Sequence, residues 1–130
     1  MTSGPTPTYG STNPTPAQVS ASGVRRMASV FPLNREGERV YRELHANAWP
    51  GIVKRLRKSN MRNYSIYIAE LDGQKYVFSY FEYIGKDYEA DRQAIIDDPE
   101  TQRWWQALAP ADPPPPAPVC TDPEMVFLME

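Results

Sequence analysis

The chain has 130 residues and a formal net charge of −2, which limits it to one modest domain and gives no electrostatic case for a nucleic-acid partner or an anionic membrane surface. A single cysteine, Cys120, excludes an internal disulfide and a multi-cysteine zinc site, and a single histidine, His45, excludes a histidine-cluster metal centre. Eight Tyr, three Trp and four Phe can build a core, but most of the 14 Pro lie in residues 1–24 and 110–123, which confines that core to the stretch between them.

Residues 1–24 are rich in Thr, Ser, Pro and Gly and carry almost nothing to bury. Burial there cannot offset the entropy of ordering, so a disordered N-terminal extension is expected, with the folded domain over 25–130. The extension lacks the basic start and apolar stretch of a secretory signal, and no apolar run reaches the roughly 18–20 residues of a membrane span. No membrane partner is expected, and the expected address is cytoplasmic.

"RRMASVFPLN" reads as a strand over 26–33, with Pro32 near its end where a missing N–H is tolerated. Asn34 suits a helix N-cap, with Glu36 and Glu38 in the first turn to complement the dipole. From 35 to 58 the pattern is helical, since Val40, Leu44, Ala48, Ile52 and Leu56 form an apolar stripe. Pro50 removes the donor that would bond the carbonyl of Ala46, so a bend is expected there. Arg55, Arg57 and Lys58 suit the last turn, and Asn60 can close the helix in a left-handed conformation. Residues 63–84 form two aromatic and β-branched runs around Asp72-Gly73, a hairpin signal. Residues 85–109 read as helix divided at Pro99, with Asp98 as N-cap of the second piece. After the Pro-rich loop 110–123, "EMVFLME" reads as a last strand.

The order βαββαβ is the ferredoxin-like plan, an α+β fold with a four-stranded antiparallel sheet and helices on one face. Tyr64 and Ile66 point to one side of the sheet and Tyr67 to the other, and both sides are apolar. A homodimer with two sheets packed face to face would cover the bare side. The pattern leaves open whether the last strand pairs within its own chain or with the partner subunit.

Tyr41 and His45 are four residues apart and share a helix face. Histidine gives and takes a proton near neutral pH, and a phenol one turn away can bond a hydroxylated ligand. An inert, hydrogen-bonded helix histidine is the competing reading, and spacing alone does not separate the two. Adjacent indoles at Trp104 and Trp105 point about 100° apart on a helix, so one can join the core while the other lines a pocket, or both can pack. Trp49 reads as core. The acidic stretch "DYEADRQAIIDDPE" reads as a solvated helix face, and the basic "VKRLRKSNMR" suits a helix end. There is no Gly-rich phosphate loop and no dinucleotide fingerprint.

Three ordered segments then carry a resemblance. "YRELHANAWPG" fits a Tyr-x-x-x-His-x-x-x-Trp-Pro pattern, "NYSIY" an Asn-Tyr-x-Ile-Tyr strand, and "QRWW" a Trp-Trp helix. From about Arg26 to the C-terminus the chain resembles the L-rhamnose mutarotase family, small cofactor-free enzymes of the dimeric α+β barrel type. The resemblance implies an isomerase that interconverts the α and β anomers of L-rhamnose or a related deoxysugar, with a monosaccharide as its small-molecule partner and neither metal nor cofactor. It makes His45 the proton donor and Tyr41 and Tyr64 sugar-contacting tyrosines. Trp104 and Trp105 become the indole pair of the binding site, and the general base stays unassigned. Ala46 and Asn47 depart from the family's Asn-Pro after the histidine. "ADPPPPAPVCTDPEMVFLME" replaces its usual Asn-Pro-Asp-Asn-Ser-Pro stretch, which bears on the sugar preferred. The same fold hosts non-catalytic small-ligand-binding dimers and cofactor-free monooxygenases, which are the alternatives.

Overall fold

The computed structural model describes residues 10–15, 17, 18, 23–113, 118–121 and 123–130. The expected disorder of the 1–24 extension falls mostly outside these residues, as does the middle of the 110–123 loop. In chain order the elements are β1 (Arg25–Pro32), a 3-10 turn (Arg35–Gly37), α1 (Glu38–Ala46), α2 (Pro50–Lys58), β2 (Met61–Leu71), β3 (Gln74–Tyr83), α3 (Tyr88–Ile96), α4 (Pro99–Leu108) and a second 3-10 turn (Ala109–Ala111). The strands form an antiparallel sheet in the order β1-β3-β2, in the α+β ferredoxin-like class expected. Among the described residues no helix is long and apolar enough to cross a membrane.

Local chemistry sets most boundaries. The Asn34 side chain accepts from the Glu36 N–H at 3.2 Å and opens the first turn. The helix expected over 35–58 is two helices, because a break replaces the expected bend. Proline Cδ crowds the preceding residue out of the helical region, and Trp49 is extended at φ −62°, ψ 133°. Pro50 then occupies the first helical position of α2, where its missing donor has no intrahelical acceptor to serve. Asn60 closes α2 at φ 64°, as its side chain allows. Asp72 and Gly73, at φ 53° and 79°, turn the hairpin as a primed turn does. Asp87 caps α3 at Ala90 N, and Asp98 caps α4 by accepting from both Thr101 N and Oγ1 at 2.8 Å.

The last strand is not formed. Residues 123–130 have no regular structure; the tail pairs with β1 through the antiparallel bridge of Val30 with Cys120, at 2.8 and 3.0 Å, and Glu130 reaches Arg26 at 3.7 Å. Pro118 and Pro123 flank that bridge and have no N–H to extend a ladder. The acidic stretch also differs from a purely solvated face. Asp91 Oδ2 accepts from Tyr83 Oη at 2.5 Å and Asn60 Nδ2 at 2.9 Å, while Ser59 Oγ donates to the Asp91 carbonyl at 2.8 Å. The two side-chain bonds hold the Asp91 carboxyl below the usual carboxylate range.

One sheet face carries the core. Phe31, Val77 and Ile68 lie side by side across the three strands, and Val77 is fully buried. Tyr41, Ile52, Trp104 and Leu108 close over them from the helices, with Leu33 and Ala111 at the end. The opposite face presents Val30, Phe78 and Tyr67 in one cross-strand row, and Tyr67 is 60% exposed.

Candidate active site

His45 sits in the last turn of α1, half-buried, with its Nδ1 2.8 Å from the Tyr41 carbonyl oxygen. A carbonyl can only accept, so Nδ1 carries the proton of that bond, and Nε2 is the nitrogen left for proton exchange. The helical four-residue spacing also lays the imidazole against the Tyr41 ring, centroids 4.3 Å apart and planes 33° apart. Trp104, from α4, meets the imidazole edge-on at 5.3 Å. Trp49 in turn meets Trp104 edge-on at 5.1 Å, a contact set by the extended residue before Pro50. Tyr41 and Trp104 thus wall the imidazole, both buried, and Trp49 backs Trp104.

Tyr64 enters from the sheet. The β2–β3 register shifts between Arg62 and Ser65, where Asn63 adopts φ 50° and two residues of β2 face one of β3. There Tyr64 stacks on Phe81 at 5.1 Å, on the helix-facing side of the sheet. Burial pushes the Tyr41 phenol up to about 12, with smaller contributions from Tyr64 and Asp112. Burial raises the Tyr64 phenol too, with Tyr88 adding to it. Both phenols therefore stay protonated at neutral pH and act as neutral hydrogen-bonding groups. Tyr64 as a whole nevertheless remains 44% exposed.

The two indoles part company. Trp104 takes the core-side position against His45, whereas Trp105 is 45% exposed, and no ring contact among the described residues joins it to His45. Of the five candidates, Tyr41 and Trp104 each meet the His45 ring, while Tyr64 stacks on Phe81 in the sheet.

A cavity of about 310 Å³ opens on the helix-facing side of the sheet, with Tyr64, Phe81, Ser29, Ser79 and Tyr88 in its lining. Sequence reasoning passed over all of these except Tyr64. The available signal was two serines on the inward phase of their strands, Ser29 between Met27 and Phe31 and Ser79 between Val77 and Phe81. A larger groove of about 640 Å³ at the hairpin end is lined by Glu38, Glu70 and Lys75, and none of the five candidates borders it. Lys75 Nζ bonds Glu38 at 2.8 Å, and with Arg42 it holds that carboxyl low. Among the described residues no group of three His, Cys, Asp or Glu is arranged to hold a metal ion.

The family model and the curated relatives point to one family. The family model described as L-rhamnose mutarotase matches residues 26–127. The L-rhamnose mutarotase of Bacillus subtilis (strain 168) is 30% identical over 87 residues, covering 67% of this chain and 79% of that protein. That of Listeria monocytogenes is 27% identical over 108 residues, covering 82% and 99%. Among solved structures, the Formosa agariphila L-rhamnose mutarotase superposes with a TM-score of 0.59 at 23% identity, covering 82% of this chain and 99% of that one. A dimeric ferredoxin-like protein from an uncultured marine organism superposes with a TM-score of 0.57 at 18% identity, covering 81% and 96%. At these identities the two superpositions bear on the fold alone. The family match spans most of the chain and includes the half-buried histidine with its aromatic neighbours: the chain belongs to the L-rhamnose mutarotase family of isomerases.

Proposed function

We propose that this chain interconverts the α and β anomers of L-rhamnose, or of a related deoxysugar, by acid–base ring opening and closure. The observation that carries the reading is His45, bound through Nδ1 to its own helix and walled by Tyr41 and Trp104. Ring opening moves one proton to the ring oxygen as another leaves the anomeric hydroxyl. The carbon–carbon bond to the aldehyde rotates, and closure on the other face reverses both transfers. The reaction needs no covalent intermediate and no net proton change.

His45 is the general acid, delivering the Nε2 proton of its imidazolium to the ring oxygen. Tyr41 and Tyr64 bond sugar hydroxyls as neutral phenols, because their raised pKa values disfavour the phenolate that a base would require. Trp104 fixes the imidazole plane and helps exclude water, and Trp105 supplies the outer wall. A second copy of the chain covers the open sheet face in a homodimer. Two observations support it: the row of Val30, Phe78 and Tyr67, and Arg26 Nη1 buried without an acceptor among the described residues. The exposed lone thiol of Cys120 suits a reducing, cytoplasmic setting.

The test is anomer-exchange NMR on L-rhamnose with wild type and His45→Ala. Wild type is expected to exchange the anomers faster than buffer, and the variant to lose roughly 10²–10⁴-fold of the added rate. No enhancement by wild type, or full activity in the variant, overturns the assignment. Binding of the sugar without exchange would identify a non-catalytic sugar-binding dimer instead.

A further inference from the structure

The proton-transfer chemistry of His45 leaves one feature of the sheet unused. Ser29 and Ser79 are direct partners in the β1–β3 register, and their hydroxyl oxygens lie 2.5 Å apart. They occupy the inward phase, whose next positions, Phe31 and Val77, are core. A core alone would favour apolar side chains there, because a hydroxyl taken from water must find partners. The serines partner each other, yet they do not fill the space above them. That space is the cavity of about 310 Å³, within the range of about 300–1,000 Å³ for small-ligand sites.

The surroundings suit a polyol. Tyr64 and Phe81, stacked, form one wall, and Tyr88 lines another part of the cavity. The Arg25 guanidinium lies 4.5 Å over the Tyr88 ring, which fixes that ring in place. Each serine hydroxyl has one donor and two lone pairs, and the mutual bond consumes one donor and one lone pair. The pair therefore keeps a donor and further lone pairs for a ligand hydroxyl.

We propose that Ser29 and Ser79 form a specificity floor of the sugar site, hydrogen-bonding one hydroxyl of the bound monosaccharide while Tyr64, Phe81 and Tyr88 cover its apolar surface. The proposal rests on the sugar-site reading above through Tyr64, the sugar-contacting tyrosine that borders the cavity. A floor built to bond a hydroxyl discriminates against a sugar lacking it, since the serine groups are then left short of a partner.

The experiment compares wild type, Ser29→Ala, Ser79→Ala and the double variant. L-rhamnose and its singly deoxygenated 2-, 3- and 4-analogues are the ligands. Binding is read by ligand-observed NMR, and KM and kcat by anomer exchange, on variants whose circular dichroism and melting match wild type. Ser79→Cys, which fills the same space with a weak donor, repeats the test if Ala disturbs packing. The expected result is a rise of roughly 3–10-fold in Kd and KM for L-rhamnose with kcat nearly unchanged. One analogue should bind wild type more weakly by a similar factor and lose that penalty in the double variant. A folded double variant with the L-rhamnose KM of wild type, or losses equal for every ligand, overturns the floor while leaving the mutarotase reading intact. Binding that shows the paired loss without any exchange supports the floor and overturns the mutarotase reading. A wild-type chain that binds no monosaccharide overturns both.

Discussion

His45 is held by a backbone carbonyl, so a change in the Tyr41 side chain that keeps α1 helical leaves the imidazole's anchor in place. Tyr41→Phe should therefore raise the sugar Kd roughly 3–10-fold. Its pH–rate profile should keep its shape between about pH 6 and 9, since a phenol at about 12 does not titrate there. Kinetics across that range check both halves, and a changed profile would assign Tyr41 a proton-transfer role. The indoles separate as sharply. Trp104→Ala removes a buried side chain that touches both His45 and Trp49, and should cost about 3–5 kcal/mol in urea denaturation. Trp105→Ala, at a half-exposed position, should stay within roughly 1 kcal/mol. The Tyr41–His45 contact was legible because the spacing of a helix is a local rule. Which indole would meet the histidine was not, because that depends on how α4 docks. Ser29 and Ser79 were hidden for a related reason: their meeting is a matter of pairing register between strands fifty positions apart in sequence.

Elements whose ends are written in one or two side chains were readable in advance. Asn60, Asp98 and the Asp72-Gly73 turn act where their chemistry suggested, whereas Asn34 caps the 3-10 turn ahead of α1 and not the helix itself. Asp98→Ala should cost about 0.5–2 kcal/mol, because the backbone N–H and hydroxyl of Thr101 both lose their acceptor. Thermal melting would register it, and an unchanged midpoint would mean that α4 is fixed by packing alone. Pro50 was read as a bend and acts as a full break, because its steric reach sets the conformation of Trp49 as well as removing a donor. Through Trp49 and Trp104 that break touches the site. Pro50→Ala should accordingly lower kcat by a larger factor than its effect on stability accounts for. Within the single chain the last strand does not form; apolar composition says nothing about which edge is vacant or whether prolines block the approach.

At the scale of the whole molecule, Asp91, Asp98, Glu38 and Glu82 all have carboxyls lowered by hydrogen bonds or cations in the folded state. A group depressed on folding stabilises above its unfolded value and loses that contribution as pH falls through its folded one. Stability should therefore be level near neutrality and decline below about pH 4.5, with Asp91→Asn showing a shallower decline. Denaturation midpoints from about pH 3 to 7 test it. On the uncovered sheet face, Tyr67→Lys should halve the apparent mass in size-exclusion chromatography without unfolding the chain, because a charge there opposes sheet-to-sheet contact. A variant eluting as wild type would move the subunit contact elsewhere. This face was legible from strand alternation, since the bulge at Asn63 precedes Tyr64 and leaves the alternation from Tyr64 to Tyr67 intact.

The bridge between Val30 and Cys120 gives the molecule a built-in reporter. Because the sequence contains one thiol and that thiol is exposed, a maleimide dye or nitroxide can be attached at a single place without mutagenesis. Its conjugation rate and spectrum would read out, in real time, whatever happens along the outer margin of β1 when sugar or a second subunit arrives.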